Sequence, residues 1–326
     1  MNQEDFVRRY EADWQTVTHL LDAMEARGRK RSKSPQGVGE FPFLYRRVCQ
    51  QLALARDRDY AAHLIDGLNL LVLRGHQHLY EARAGAWSSF IHAVMVKFPN
   101  LIRTQALLFW VAVALMFVPT FGLALAVIQT PDLVYSVLDP SQVDTFEEWY
   151  RPGTDDVGRE RGDDTDFAMF GFYIRNNIGV GFRTFAGGLL FGVGSAFFLV
   201  FNGIYFGAVA GHLTNVGYAE TFFSFVIGHG AFELTAIVLA GMAGLKLGGA
   251  LIAPGRMTRL RALRESARNS IVIVYAVVFM LVIAAFLEAF WSSSSTISSS
   301  VKFIVGTVLW LLVASYLLFA GRARGP

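Results

Sequence analysis

His229 and Glu233 stand four residues apart in FFSFVIGHGAFELTAIVLAGMAGLKLG, residues 222–248. On a helix this spacing sets both side chains on one face about a turn apart. A group that gives or takes a proton near neutral pH then stands beside a carboxylate that can hold one when buried. Two readings follow: a pair that satisfies itself and glues helices together, or a pair that handles protons or cations. A metal would require three or four ligands, and His212 and Glu288 could join His229 and Glu233 only if separate helices converge, which no local spacing provides. HGxxEL also lacks the second histidine of the HExxH zinc-protease pattern. Neither GxxxxGK[ST] nor GxSxG occurs, so ATP hydrolysis and serine catalysis have no support. The expectation is a protein without catalytic residues, metal or cofactor.

The stretch from Arg175 to Gly248 is apolar enough for a bilayer, yet it also carries Arg175, Asn176, Asn177 and Asn202. Hydrocarbon rejects such groups unless they face protein or trapped water. With His229, Glu233 and the later Glu288 they are the candidates for a polar intramembrane centre. Glycines recur every fourth residue at Gly188 and Gly192, at Gly203, Gly207 and Gly211, and at Gly244 and Gly248. Each set forms a smooth stripe for close helix packing, either within the chain or between subunits of a homo-oligomer. Gly228 and Gly230 flank His229, and because glycine costs roughly 1 kcal/mol in a helix interior, a break or kink is expected there.

The asparagine pair, Asn202-Gly203, the HGxxEL of His229 to Leu234, the GLKLG of Gly244 to Gly248 and the late Glu288 together resemble the stage II sporulation protein M (SpoIIM) family of bacterial membrane proteins. LYRRVCQQLALAR (44–56), LNLLVLRGHQHLY (68–80) and FPNLIR (98–103) resemble its long, non-sporulation branch. The sequence departs from the family pattern at Lys246, in place of arginine, and at Thr235, in place of proline. The resemblance implies an integral membrane component of a cell-envelope complex, sited in the bacterial cytoplasmic (inner) membrane. For the long branch it implies MoxR-type AAA ATPases and von Willebrand-like proteins as partners.

Hydrophobic residues make up 53% of the 326, and the mean hydropathy is +0.40, too apolar for an ordinary soluble enzyme. The expected class is all-α: a polytopic membrane protein of five or six embedded helical segments behind an N-terminal helical bundle. Residues 1–100 read as that bundle, with helices at about 2–27, 43–58, 60–82 and 85–98 and a basic run, GRKRSKSP, at 28–35. His76 and His78, two apart, cannot share a helix face as a metal pair. The single cysteine, Cys49, excludes an internal disulfide and reads as a small core residue. Spans are expected at about 101–128, 186–212, 221–252, 270–291 and 301–320, each near the ~20 residues that cross the hydrocarbon layer.

Charge gives orientation. Residues 129–166 hold eleven acids against three arginines, net −8, and residues 253–270 hold five arginines against one glutamate, net +4. The basic residues lie beside membrane segments, where they orient the chain and meet anionic lipid; they do not indicate nucleic acid. The acids of 154–166 lack the glycine and glutamate positions of a calcium loop. The N-terminus, which lacks the apolar core of a signal peptide, is expected in the cytoplasm, with 129–166 outside and 256–268 inside. Five crossings cannot satisfy all three placements, so either 167–185 or the segment around Gly228–Gly230 is expected to enter the membrane as an extra or re-entrant element. Two functions remain open: a non-enzymatic scaffold or assembly component, or a proton- or solute-conducting transporter or channel.

Overall fold

A computed structural model describes residues 2–27, 40–153 and 166–322, with side chains for all of these except 26–27, 78–90 and 166. The basic run at 28–35, the acids of 154–165, the side chain of His78 and Arg324 lie outside the described residues. Every regular element among them is helical, and the chain divides into two compact units, residues 1–91 and 92–326.

In the first unit, α1 (Gln3–Arg27), α2 (Phe41–Asp57) and α3 (Ala62–His92) enclose one core. Phe6, Val17 and Leu21 of α1 meet Val48, Leu52 and Ala55 of α2 and Leu68 and Leu71 of α3. A polar clasp ties α1 to α2: Trp14 Nε1 donates to Gln51 Oε1 (2.7 Å), and Gln51 Nε2 donates to Asp13 Oδ2 (2.9 Å). Hydrogen bonds to the carboxylates of Asp22 and Glu25 hold the Arg74 guanidinium of α3 above its ordinary pKa. Two expectations change. The helices expected at 60–82 and 85–98 join through 83–84, where no proline interrupts and alanine favours continuation. Cys49 is half-buried and lies outside the core set.

The second unit holds α4 (Phe98–Thr104), α5 (Ala106–Gln129), α6 (Pro140–Tyr150), α7 (Asp166–Ala186), α8 (Val193–Asn215), α9 (Ala219–Ile252), α10 (Arg259–Leu287) and α11 (Ser299–Phe319). Among the described residues, five helices are long and apolar enough to cross a membrane, spanning 106–129, 193–215, 219–252, 259–292 and 299–319. α9 is the axis: it packs against α5, α7, α8, α10 and α11 and is the most buried of the five. α5, α10 and α11 turn Phe121, Leu125, Tyr275, Phe279, Leu311 and Leu312 outward, as contact with lipid requires. At α6, Pro140 occupies the first turn and Gln142 Oε1 accepts from the Asp139 N–H (3.0 Å).

α7 falls short of the composition of a span, yet it is 21 residues long, as α11 is, and packs along α9 and α10. It begins with Phe167 against Phe290 (ring centroids 5.6 Å). Gly181 then abuts Leu281, and the turn after α7 brings Gly188 onto the backbone of Gly244, near the far end of α9. A short turn at 187–192, with Phe191 and Gly192 at positive φ, reverses the chain into α8.

The expected break at Gly228–Gly230 is absent: α9 is unbroken from Ala219 to Ile252. Surrounded by helices, an opened turn there would strand backbone groups away from water, which outweighs the glycine penalty. Irregular helix occurs instead at 288–292, a π-type turn at the end of α10.

The glycine stripes meet backbone. A Cβ on Gly203 would lie 2.1 Å from Met116 O, one on Gly207 2.4 Å from Thr120 O, and one on Gly211 2.7 Å from Ala124 O, so α5 of the same chain covers this stripe. It is therefore not free to serve a partner subunit. Gly188 and Gly192 face Gly244 and Gly248 in the same manner. Gly207→Ala is expected to destabilise the detergent-purified protein by about 1–3 kcal/mol through overpacking. Gly122→Ala, where an added methyl meets nothing within 4 Å, should stay within about 1 kcal/mol of wild type on the stabilising side. Thermal unfolding of the two variants checks the contrast.

Candidate functional site

α9 carries His229 and Glu233 on one face, and the π-type turn at 288–292 brings Glu288 and Ser292 up against it. The potential ligand atoms of His229, Glu233 and Glu288 all lie within 4.8 Å of one another. The His–Glu pair is nevertheless not a hydrogen bond, since His229 Nε2 and Glu233 Oε2 are 3.9 Å apart. His229 bonds through its other nitrogen: Nδ1 lies 3.0 Å from Ser292 Oγ. The imidazole is 5% exposed, and the ring of Phe225 stands edge-on at 5.2 Å. Lys302, buried near the start of α11, donates through Nζ to Ser292 O (2.7 Å). One serine thus meets α9 through its hydroxyl and α11 through its carbonyl.

The other candidates lie elsewhere. Asn202 Nδ2 donates to Phe198 O of its own helix (2.6 Å). Asn176 Nδ2 reaches Asn177 Oδ1 (3.4 Å), while Asn177 is buried and its Nδ2 has no hydrogen-bond partner. Arg175 lies on the exposed face of α7. His212, considered as a fourth ligand, is engaged by Glu147 of α6: its Nε2 lies 2.8 Å from Glu147 Oε1. The convergence that a shared ligand set requires is thus present for Glu288, while His212 is engaged elsewhere. The helix axes converge at 288–292 because α10 ends there in a wide turn, a feature with no local sequence signature.

A second polar junction closes the membrane unit. Arg103 of FPNLIR donates from Nη1 to Leu317 O (2.9 Å) and from Nη2 to Ala320 O (2.7 Å) and to Asn100 Oδ1. It caps the C-terminus of α11, where carbonyls lack helical partners. Tyr316 donates to Val94 O (2.5 Å) and stacks on Phe98. Sequence reasoning passed over Ser292, Lys302 and this junction. Lys302 did carry a signal, a lone lysine inside an apolar span, whereas a serine in SSSSTISSS carries none.

The fold and this centre define an all-α polytopic membrane protein with a buried polar cluster where three helices meet. The sequence profile of Stage II sporulation protein M (SpoIIM) matches residues 103–293, more than half of the chain, and the chain belongs to that family. Residues 4–81 match a domain of unknown function (DUF8413). No curated protein and no solved structure matches the chain.

A double-mutant cycle on His229→Ala and Ser292→Ala, read by thermal unfolding in detergent, is expected to give a coupling of about 0.5–1.5 kcal/mol. The cycle on His229→Ala and Glu233→Ala should give a smaller one. Equal couplings would show that His229 and Glu233 bond directly.

Proposed function

We propose that this SpoIIM-family protein is a non-catalytic component of a cell-envelope complex in the bacterial cytoplasmic membrane, holding other proteins through its N-terminal unit. The observation that carries this reading is the close packing of the membrane unit, whose backbones meet at Gly188, Gly203, Gly207 and Gly244. Many of its polar side chains are also engaged inside the chain. A cavity between α7, α9 and α10 is only about 50 Å³ and is lined by apolar side chains such as Ile178, Phe185, Ala240, Ile273 and Val277. That is a body built to keep its shape. The N-terminal unit, in contrast, offers an open groove of about 350 Å³ along α1 and α3, with Trp14, Leu68, Leu70 and Arg74 on its walls. The long-branch segments at 44–56 and 68–80 fall on α2 and α3, which supports a MoxR-type AAA ATPase or a von Willebrand-like protein as the occupant.

The orientation belongs to the same proposal. The N-terminus and the arginine-rich 256–268 lie in the cytoplasm, and 129–166 lies outside. α7 supplies the sixth crossing that this arrangement demands, which its course from Phe290 to Gly244 supports. The convergence of His229, Glu233 and Glu288 favours a second reading, proton or solute conduction through the polar centre.

Three measurements test these statements. A photo-crosslinking residue at Leu70 in intact cells should capture a MoxR-type ATPase or a von Willebrand-like protein; capture of neither removes the docking role. An impermeant thiol reagent should label Ser294→Cys but not Arg261→Cys from outside, whereas labelling of Arg261→Cys would reduce the crossings to five. Proteoliposomes should show no proton or solute flux that Glu233→Gln abolishes, and such a flux would replace the assembly role by conduction.

A further inference from the structure

We infer that His229, Glu233 and Glu288 form a binding site for one divalent transition-metal cation, with Zn²⁺ as the reference ion, that ties α9 to the turn at 288–292. The inference is independent of the proposed assembly role.

The donor set is one imidazole nitrogen and two carboxylate oxygens, a combination that suits Zn²⁺, Fe²⁺ or Mn²⁺. Spacing makes the case specific. The 3.9 Å between His229 Nε2 and Glu233 Oε2 is too long for a hydrogen bond. It is close to the spacing of two ligands on one cation, because bonds of about 2.0–2.2 Å in tetrahedral geometry place ligand atoms about 3.3–3.6 Å apart. All three ligand atoms fall within 4.8 Å of one another, so side-chain movements of about 1 Å close the set.

A second observation concerns the far side of the imidazole. Ser292 Oγ lies 3.0 Å from His229 Nδ1. When Nδ1–H donates to that hydroxyl, the lone pair stands on Nε2, facing the two carboxylates. Metal-bound histidines are oriented in this way by a partner on the other nitrogen. The ring is 5% exposed and braced by Phe225, so it cannot swing out to water.

Charge points to the same ligand. Two carboxylates with ligand atoms this close repel one another unless a proton or a cation stands between them. Lys302 brings one positive charge to the same turn through Ser292 O, and a cation among the three ligands supplies the rest. The three residues alone fill three positions, which leaves room for a water or another small ligand.

The test uses the full-length, tag-free protein in detergent at neutral pH, stripped with a chelator and then titrated with Co²⁺. Wild type should bind one equivalent, with visible d–d absorption that Zn²⁺ displaces, and Zn²⁺ should raise its melting temperature. Ser292→Ala keeps all three ligands and should weaken binding about 10- to 100-fold. Glu233→Gln and Glu288→Gln should weaken it further and lose the rise in melting temperature. Circular dichroism and gel filtration establish that each variant is folded. The proposal is overturned if folded wild type takes up no Co²⁺ or Zn²⁺, the outcome of a centre that holds only protons. It is equally overturned if the Glu233→Gln, Glu288→Gln double variant binds as tightly as wild type.

Discussion

Helix backbones can touch only where neither helix places a side chain between them, and the membrane unit depends on that contact. α8 lies on α5 through Gly203, Gly207 and Gly211, and the turn at 187–192 lies on α9 through Gly188, Gly192, Gly244 and Gly248. Between apolar helices in lipid there is little hydrophobic gain from association, so close dispersion contact and hydrogen bonds must supply it. The glycine junctions fix α5, α7, α8 and α9 at separations that larger residues would prevent. α9 can then be enclosed by five helices, with α10 and α11 closing the remaining side.

Enclosure in turn dictates what polar groups can do. A buried donor or acceptor must find a partner inside the fold, and this chain solves the problem largely with helix ends and turns. Asn215 donates to Val127 O at the end of α5, Ser195 donates to Thr184 O near the end of α7, and Arg103 caps α11. Each of these partners lies on a different helix from its donor. His229, Glu233 and Glu288 differ from this pattern, since they converge on each other while His229 also bonds Ser292. The 288–292 turn carries both Glu288 and Ser292 against α9.

The class of fold was legible because it rests on long apolar runs, and the five candidate spans follow those runs closely. Gly203, Gly207 and Gly211 were legible as a packing stripe because a four-residue period survives into the helix surface. Their partner was not, since the identity of the opposing helix depends on tertiary docking. The break expected at Gly228–Gly230 failed for a related reason: helix propensity is a local quantity, and α9 is kept unbroken by the helices packed around it. In the candidate site, His229 and Glu233 could be paired from their spacing alone. Their true separation, the approach of Glu288 and the serine that bonds the imidazole required knowing where α10 ends.

The junction at Arg103 bears on how such a protein is made. A ribosome delivers the segment 98–104 long before residues 317–320 exist, so the guanidinium emerges without the carbonyls it will hold. Until α11 has inserted, that end of the membrane unit stays unlatched, with Phe98 lacking Tyr316 and Asn100 lacking Gly321 O. α11 thus completes α4, and a chain cut short before Leu317 leaves the Arg103 guanidinium without the carbonyls it holds.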